Sequence, residues 1–131
     1  MNKRWTYSKK SVYNLGYHLI WCPRYRKNIL HGKLEQRLRE ILINKAKEID
    51  ISIEVMEING DHLHLFVKSS PTDSPHFIIQ QFKGLSSNLL RKEFPELMKM
   101  PSLWTRSYYC ESVGHISEKT VKKYIEDQKS S

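Results

Sequence analysis

Residues 51–67, ISIEVMEINGDHLHLFV, contain two alternating patterns separated by a turn signal. Before the turn, apolar residues alternate with polar ones from Ile51 to Val55, which predicts a half-buried strand. Asn59–Gly60 is a dipeptide that hairpin turns favour. In the second strand, one face receives Leu63, Leu65 and Val67, and the other receives His62, His64, Phe66 and Lys68. The hairpin therefore points both imidazoles away from the aliphatic core.

The flanking sequence predicts the remaining elements of an α+β domain. We expect strands over 12–22 and 103–113, amphipathic helices over 33–49 and 74–94, and a short third helix over 117–128 after a break at Gly114. This order fits the ferredoxin-like plan, in which a four-stranded antiparallel sheet has two helices packed on one face and an open second face. Residues 1–11 form a basic lead, and we expect a single domain over 1–131. The third helix must reach the open face if its side chains are to meet the histidines.

The charge balance points to a polyanionic partner. The formal net charge is +8, and basic residues recur along the whole chain instead of collecting in one tail. Nucleic acid is the leading candidate for such a partner. No apolar run approaches about 20 residues, and the first residues lack the apolar core of a signal peptide, so we expect a soluble, cytoplasmic protein. Cys22 and Cys110 have no spacing typical of a zinc ribbon or a redox motif, and we expect reduced thiols.

Two residue pairs carry the candidate chemistry. His62 and His64 share one face of a strand, and Tyr124 and Gln128 share one face of a helix. Each pair alone has an ordinary explanation, because imidazoles on a polar sheet face often bond only to water and helical tyrosines often cover the edge of a core. Together they offer two imidazoles, an amide oxygen and a phenol to one cation, and Asp61 can fix the tautomer of the neighbouring imidazole. The other histidines are expected to be solvated or structural: His18, His31, His76 and His115.

This set of donors predicts a divalent ion and a covalent phosphoryl transfer. Imidazole and oxygen ligands with open positions suit Mg²⁺ or Mn²⁺ better than a closed tetrahedral zinc site, with zinc as the alternative. An ion held by His62, His64 and Gln128 would polarise a scissile phosphate while the oxygen of Tyr124 attacks in line. The resulting phosphotyrosine conserves the energy of the broken phosphodiester, so a strand can be rejoined without a nucleotide cofactor. The sequence does not identify the base that takes the phenol proton.

Several motifs, in order, resemble a known family of DNA transposases. They are WCPRYRK (21–27), GDHLHLFV (60–67), FKGLSS (82–87), LWTRSYY (103–109), SVG (112–114) and YIEDQ (124–128). Over residues 12–128 the chain is similar to the single-tyrosine transposases of the HUH superfamily, the IS200-like group, which moves insertion sequences through single-stranded DNA. The resemblance implies that Tyr124 is the nucleophile and that His62, His64 and Gln128 hold the metal. It also implies a homodimer with active sites shared between subunits, hairpins at element ends, and a 5′-phosphotyrosine that is joined to a free 3′-hydroxyl.

Two groups of basic residues are candidates for DNA contact. They are Arg24, Arg26 and Lys27 in a loop and Lys83, Arg91 and Lys92 on one helix. Such cations can hold phosphates, and Tyr25 or Trp104 can stack on unpaired bases. For each residue alone, a solvated basic surface is an equally simple explanation.

Two other functions remain open from the sequence. The first is a non-enzymatic module that binds single-stranded RNA or DNA, because ferredoxin-like sheets with exposed aromatics often bind single strands. That interpretation leaves Tyr124, Gln128 and the histidine pair unexplained. The second is a domesticated nickase or a replication initiator, which would use the same chemistry without moving an element. Chain length favours the transposase over an initiator, since initiators usually carry further domains.

Overall fold

The computed structural model describes residues 16–69 and 73–113 of the chain. Within these ranges the elements are β1 (Gly16–Trp21), α1 (Gly32–Glu48), β2 (Ser52–Asn59), β3 (His62–Lys68), α2 (Pro75–Glu93) and β4 (Tyr109–Val113). Short 3₁₀ turns cover Arg24–Arg26 and Pro95–Lys99. Neighbouring strands pair antiparallel in the order β2-β3-β1-β4, which confirms the predicted ferredoxin-like α+β sheet. The predicted basic lead (1–11) and third helix (117–128) lie outside the described residues.

Both α-helices lie close to their predicted limits. α2 begins as expected, because the Ser74 side chain accepts a hydrogen bond from the backbone N–H of Phe77 at 3.1 Å and Pro75 occupies the first turn. α1 begins one residue before the predicted start, at Gly32, whose φ of +56° suits a residue without a side chain. In the described part of the chain, no helix is both long and apolar enough to cross a membrane.

The aliphatic side of the sheet packs against the two helices. One buried cluster joins Tyr17, Leu19 and Trp21 of β1, Leu63, Leu65 and Val67 of β3, Leu38 and Leu42 of α1, and Ile78 and Phe82 of α2. The alternation of residues 63–67 is thereby confirmed, since its aliphatic members all belong to this core. The histidines of β3 therefore point to the opposite side of the sheet.

That opposite side, which we call the histidine face, is less open than the sequence predicts. His18, His64 and Phe66 are 3%, 1% and 3% exposed. The ring of Phe66 packs on Val55 and Val113 and lies directly over Gly16, where even a Cβ would collide with it. The expectation of an open sheet face is therefore wrong around His18 and His64, and of the two roles predicted for His18, solvated or structural, its burial fits the structural one.

The last strand is shorter than predicted, and residues 103–108 are not part of it. Leu103 and Trp104 are buried instead in the main core, at 0% and 5% exposure. The backbone of this segment pairs with the residues that follow β1: Arg24 N–H donates to the Leu103 carbonyl at 2.8 Å, and Thr105 N–H donates to the Cys22 carbonyl at 3.0 Å. The aromatic and branched residues of 103–108 thus match a strand pattern, although they belong to a loop that covers the core.

Replacing Phe82 by alanine should lower the free energy of unfolding by about 3–5 kcal/mol, because the ring is fully buried and stacks on Trp21. Phe77 of the same helix is 43% exposed and supplies a matched control, for which Phe77→Ala should cost less than about 1 kcal/mol. Urea titration followed by circular dichroism measures both. Equal losses in the two variants would contradict the packing described above.

Candidate functional site

β3 places two imidazoles side by side on the histidine face. The ring centroids of His62 and His64 are 4.7 Å apart, with the ring planes at 76°. The strand pairing fixes both positions, because His64 lies opposite Ile20 of β1 and Glu57 of β2, and His62 lies opposite Asn59. The sequence-predicted pair is therefore held by two neighbouring strands and not by a mobile loop.

Asp61 orients the first imidazole of the pair. Its Oδ1 lies 2.6 Å from Nδ1 of His62. A carboxylate only accepts hydrogen bonds, so Nδ1 carries the proton and the lone pair of His62 remains on Nε2. The hydrogen bond from His62, together with the nearby Arg26 guanidinium, holds the pKa of Asp61 below its usual value, so the acceptor stays ionised. Among the described residues, buried Nε2 of His62 has no hydrogen-bond partner.

His18 is a third imidazole at this site, and the sequence interpretation set it aside. Its ring centroid lies 6.0 Å from that of His64 and 6.3 Å from that of Tyr109. Burial lowers the pKa of His18 to about 4, so the ring is neutral near pH 7. A signal was present in the sequence: His18 falls between the core residues Tyr17 and Leu19, and an alternating strand must point it to the other face.

The described part of the site fits the beginning of a metal centre. A buried imidazole nitrogen with a free lone pair, a carboxylate that fixes its tautomer, and a second imidazole beside it are typical of histidine metal ligands. Within residues 16–69 and 73–113, however, no three His, Cys, Asp or Glu side chains are grouped to hold a metal. A metal held here would need a third ligand from elsewhere in the chain or from a partner, and the predicted one, Gln128, lies like Tyr124 outside the described residues. Their convergence on the histidine pair stays a prediction.

A second feature, which we call the basic groove, follows the outer side of α2 and the loop before β4. It consists of adjoining cavities of about 400, 650 and 440 Å³ that share lining residues, among them Gly84, Ser87, Arg24 and Arg106. Its cations are Arg24, Lys83, Arg91, Lys92 and Arg106. None of the described residues that line it is Asp or Glu. The groove can therefore accept an extended polyanion.

The cations predicted for DNA contact have different surroundings. Nζ of Lys83 donates to the Thr105 carbonyl at 2.6 Å, and burial lowers the pKa of this lysine. Arg91 donates to the Met100 carbonyl at 2.8 Å. Both side chains thus hold the loop before β4, whereas Lys92 is exposed. The roles of all three in DNA binding stay predictions.

The basic loop is divided in the same way. Arg24 donates to Ser102 Oγ at 3.1 Å and Arg26 to Asp61 Oδ2 at 3.0 Å, whereas Lys27 is exposed. Tyr25 is 69% exposed at the end of the basic groove and stays a candidate for base stacking. Trp104 is not one, because its ring is buried and its Nε1–H donates to Ser86 Oγ at 2.9 Å. Arg106 is a groove cation that the sequence interpretation missed by placing it inside a strand.

Comparison with known proteins decides the family. The family model described as IS200-like transposase matches residues 11–128, which is most of the chain. This chain belongs to the IS200-like transposases. The transposase is 32% identical over 120 residues to the ISDra2 transposase TnpA of Deinococcus radiodurans, with 89% of this chain and 86% of the relative covered. It is 28% identical over 119 residues to the transposase for insertion sequence element IS200 of Salmonella typhimurium, with 88% and 78% covered.

Solved structures agree with this assignment. A crystal structure from Deinococcus radiodurans R1, of a protein described as a transposase, is 30% identical and superposes with a TM-score of 0.70 over 86% of this chain and 89% of that one. A REP-associated tyrosine transposase, solved bound to a REP hairpin, superposes with a TM-score of 0.58 at 14% identity over 88% of this chain and 63% of that one, and shows a shared fold. The transposase is thus a DNA-transposing enzyme, which confirms at the level of family and general function what the motifs predict.

Proposed function

We propose that this transposase cleaves and rejoins single-stranded DNA at insertion-sequence ends through a 5′-phosphotyrosine intermediate, with the assistance of Mg²⁺ or Mn²⁺. The observation that carries the proposal is the histidine pair, in which Asp61 holds Nδ1 of His62 and leaves the buried Nε2 lone pair available. His64 stands beside it at 4.7 Å between ring centroids. Family membership supplies the DNA substrate.

The proposed reaction exchanges one phosphodiester for another. The phenol of Tyr124 gives up its proton to water or to a nearby base, its oxygen forms a bond to phosphorus, and the bond from phosphorus to the 3′-oxygen breaks. The 3′-oxygen leaves as a hydroxyl after taking a proton, and the 5′-phosphate stays on the tyrosine. Attack by a free 3′-hydroxyl on the phosphotyrosine reverses these steps and joins two strands. No energy source is needed, because each step keeps the number of phosphodiester bonds unchanged.

In this proposal, His62, His64 and Gln128 hold the ion and Asp61 sets the tautomer of His62. The bound cation would supply positive charge beside the scissile phosphate, where negative charge builds up in the transition state. The protein's own contribution is position: β3 holds the imidazoles, and on the predicted third helix Tyr124 and Gln128 would arrive together, because four residues make about one turn. The family resemblance adds a homodimer in which the tyrosine segment of one subunit completes the histidine pair of the other.

The basic groove is the proposed path for DNA beyond the reacting phosphate. It offers cations, small polar side chains and an exposed aromatic ring at Tyr25, which suit backbone phosphates and an unpaired base. α2 lies against the aliphatic side of the sheet, so the part of the groove along α2 lies across the sheet from the histidine face, while its end at Arg24 and Tyr25 belongs to the loop that contacts Asp61 through Arg26. A hairpin at an element end can then be held at one surface while the strand to be cut reaches the other.

The direct test uses a labelled single-stranded oligonucleotide that carries an element end. The oligonucleotide is incubated with the protein and Mn²⁺ or Mg²⁺ and then resolved on a denaturing gel. We expect a shifted covalent species that depends on the added ion and disappears after protease digestion. Oligonucleotide binding without any covalent species in either ion would favour the binding-module alternative. An adduct that never rejoins to a supplied 3′-hydroxyl would favour the nickase or initiator alternative.

Lys92→Gln and Arg106→Gln should each weaken DNA binding in a salt-dependent way. Each lost phosphate contact should reduce the slope of log affinity against log salt by about 0.7 for a single strand or about 0.9 for a duplex stem. Lys47 is exposed on α1, away from the groove, so Lys47→Gln is the matched control. This variant should keep the wild-type slope of log affinity against log salt. Fluorescence anisotropy at several salt concentrations measures the slopes. If the slope of the control changes as much as the slopes of the groove variants, the effect comes from net charge alone and the groove is not the DNA-binding surface.

A further inference from the structure

A continuous set of contacts links the basic loop to the histidine pair. Nη2 of Arg26 lies 3.0 Å from Oδ2 of Asp61, and the other oxygen of that carboxylate lies 2.6 Å from Nδ1 of His62. We infer that Arg26 is a positioning residue for the cation site: it fixes the rotation of the Asp61 carboxylate, which in turn keeps the Nε2 lone pair of His62 directed at the cation. The inference rests on the proposed function in taking the histidine pair as a cation site. The role of Arg26 rests on the contacts just given.

The backbone of the basic loop is shaped to deliver the Arg26 side chain. Tyr25 and Arg26 have φ values of 60° and 50°, in the left-handed region that residues with side chains rarely adopt. Such conformations persist only where surrounding contacts fix them. Here the Arg26 N–H donates to the Pro23 carbonyl at 2.8 Å, and the preceding Arg24 N–H donates to the Leu103 carbonyl at 2.8 Å. The loop therefore keeps this strained turn next to Asp61.

The tip of the hairpin that carries Asp61 is fixed against the same loop. The N–H of Leu30 donates to the Gly60 carbonyl at 2.9 Å. A Cβ on Gly60 would collide with the Asn28 side chain, so the loop and the hairpin are in direct contact at this glycine. The loop that carries Arg26 and the hairpin tip that carries Asp61 therefore pack directly on each other. This packing, and not the ion pair alone, sets the relative position of the two residues.

Stability does not explain this ion pair. The side chains of Arg26 and Asp61 are 65% and 36% exposed, and exposed pairs contribute little to folding because water and salt screen them. What the pair does change is the freedom of Asp61. An unrestrained carboxylate could rotate away from His62, or swing toward the cation and become a ligand itself, and a bidentate-capable guanidinium limits both motions.

The sign of the effect on cation affinity separates positioning from simple electrostatics. Arg26 is a positive charge near a site for a positive ion, so its removal should tighten cation binding if only Coulomb repulsion matters. Positioning predicts the opposite, that removing Arg26 weakens binding because His62 is less often oriented. Binding of Mn²⁺ to the full chain, followed by the electron paramagnetic resonance signal of the free ion, measures this difference without any DNA reaction.

We expect Arg26→Gln to weaken Mn²⁺ binding by about 3–10-fold, less than Asp61→Ala, for which loss of the direct partner of a metal-binding histidine costs about 10–100-fold. Arg26→Lys should recover part of the loss, because lysine keeps the charge but not the planar fork. Lys33→Gln removes an equal charge from an exposed position outside the contacts and should keep the wild-type affinity. Unchanged or tighter Mn²⁺ binding in Arg26→Gln overturns the inference.

A second readout keeps this inference separate from the proposed function. Nitrogen-15 spectra of the metal-free protein near pH 8 distinguish the His62 tautomer with a proton on Nδ1 from the tautomer with a proton on Nε2. Wild type should show the Nδ1–H form, and Arg26→Gln should show a smaller share of it. An unchanged tautomer share sinks the positioning role even if DNA is cleaved. Conversely, a shifted tautomer share in a protein that never forms an adduct supports the positioning role while the proposed function fails.

Discussion

Replacing Tyr124 by phenylalanine should abolish the covalent protein–DNA species while leaving oligonucleotide affinity within about twofold of wild type. The substitution removes only the oxygen that attacks phosphorus, so the rate of adduct formation should fall by at least about 1000-fold, as expected for loss of a nucleophile. The aromatic ring itself is retained. Denaturing electrophoresis of a labelled oligonucleotide measures the adduct, and fluorescence anisotropy measures binding.

Tyr108→Phe is a suitable control for this experiment. Its hydroxyl lies 3.0 Å from Nδ1 of His76 and takes no part in the proposed chemistry, so its variant should form the adduct at close to the wild-type rate. A covalent species that survives in Tyr124→Phe but disappears in another tyrosine variant would move the nucleophile to that residue. The histidine pair could then stay in place with a different attacking group.

Removing an imidazole from the histidine pair should weaken Mn²⁺ binding by more than about 100-fold and suppress the adduct to the same extent at low Mn²⁺. His62→Ala tests the partly exposed ring. His64→Asn tests the buried one, because the asparagine keeps a polar group of similar reach at a position that is 1% exposed. Titration of free Mn²⁺ gives the affinity, and gel assays over a range of Mn²⁺ concentrations show whether excess ion restores the adduct.

His76→Ala completes this series as the matched histidine. His76 lies on α2 and contacts Tyr108, away from the histidine face, so its variant should bind Mn²⁺ as wild type does. If both His62→Ala and His64→Asn bound Mn²⁺ with wild-type affinity, the two imidazoles would not be ligands of the cation. If adduct formation fell in those variants without any change in Mn²⁺ affinity, the imidazoles would serve the DNA and not an ion.

The hairpin over 51–67 could be predicted because its side chains obey a period of two and its turn dipeptide is distinctive. That period also placed the histidines correctly relative to the core. The strand predicted over 103–113 was wrong in its first half for a physical reason: branched and aromatic residues suit a strand and a buried loop equally well. Only tertiary contacts decide between them, and here Leu103 and Trp104 enter the core while Thr105 pairs with Cys22.

The candidate site was predicted only where its residues are close in sequence. Asp61 directly precedes β3, and His62 and His64 lie two residues apart on it, whereas the approach of His18 and Arg26 depends on strand order and loop packing that no local pattern encodes. Lys83 and Arg91 show the same limit. Their spacing places them on one side of α2, but nothing local reveals that the following loop returns and supplies backbone carbonyls to both.

The position of Val113, the last described residue of β4, limits where Tyr124 can act. Val113 and Lys68 both lie opposite Gly16, while Tyr109 and His64 both lie opposite Ile20, so Val113 lies about 14 Å past the level of His64 along the strand. The tether from Val113 to Tyr124 spans at most about 38 Å when extended and about 16 Å when helical. For Tyr124 to reach the histidines of its own subunit, the tether must turn back along the sheet. A tether that continues away from the sheet could instead bring Tyr124 to the histidines of a second subunit. Shortening the tether by a few residues should therefore distinguish a tyrosine that acts at the histidines of its own subunit from one that acts at those of a partner subunit. Mixing subunits that lack the tyrosine with subunits that lack the histidines would also show which arrangement is used, because only sites completed by a partner regain activity.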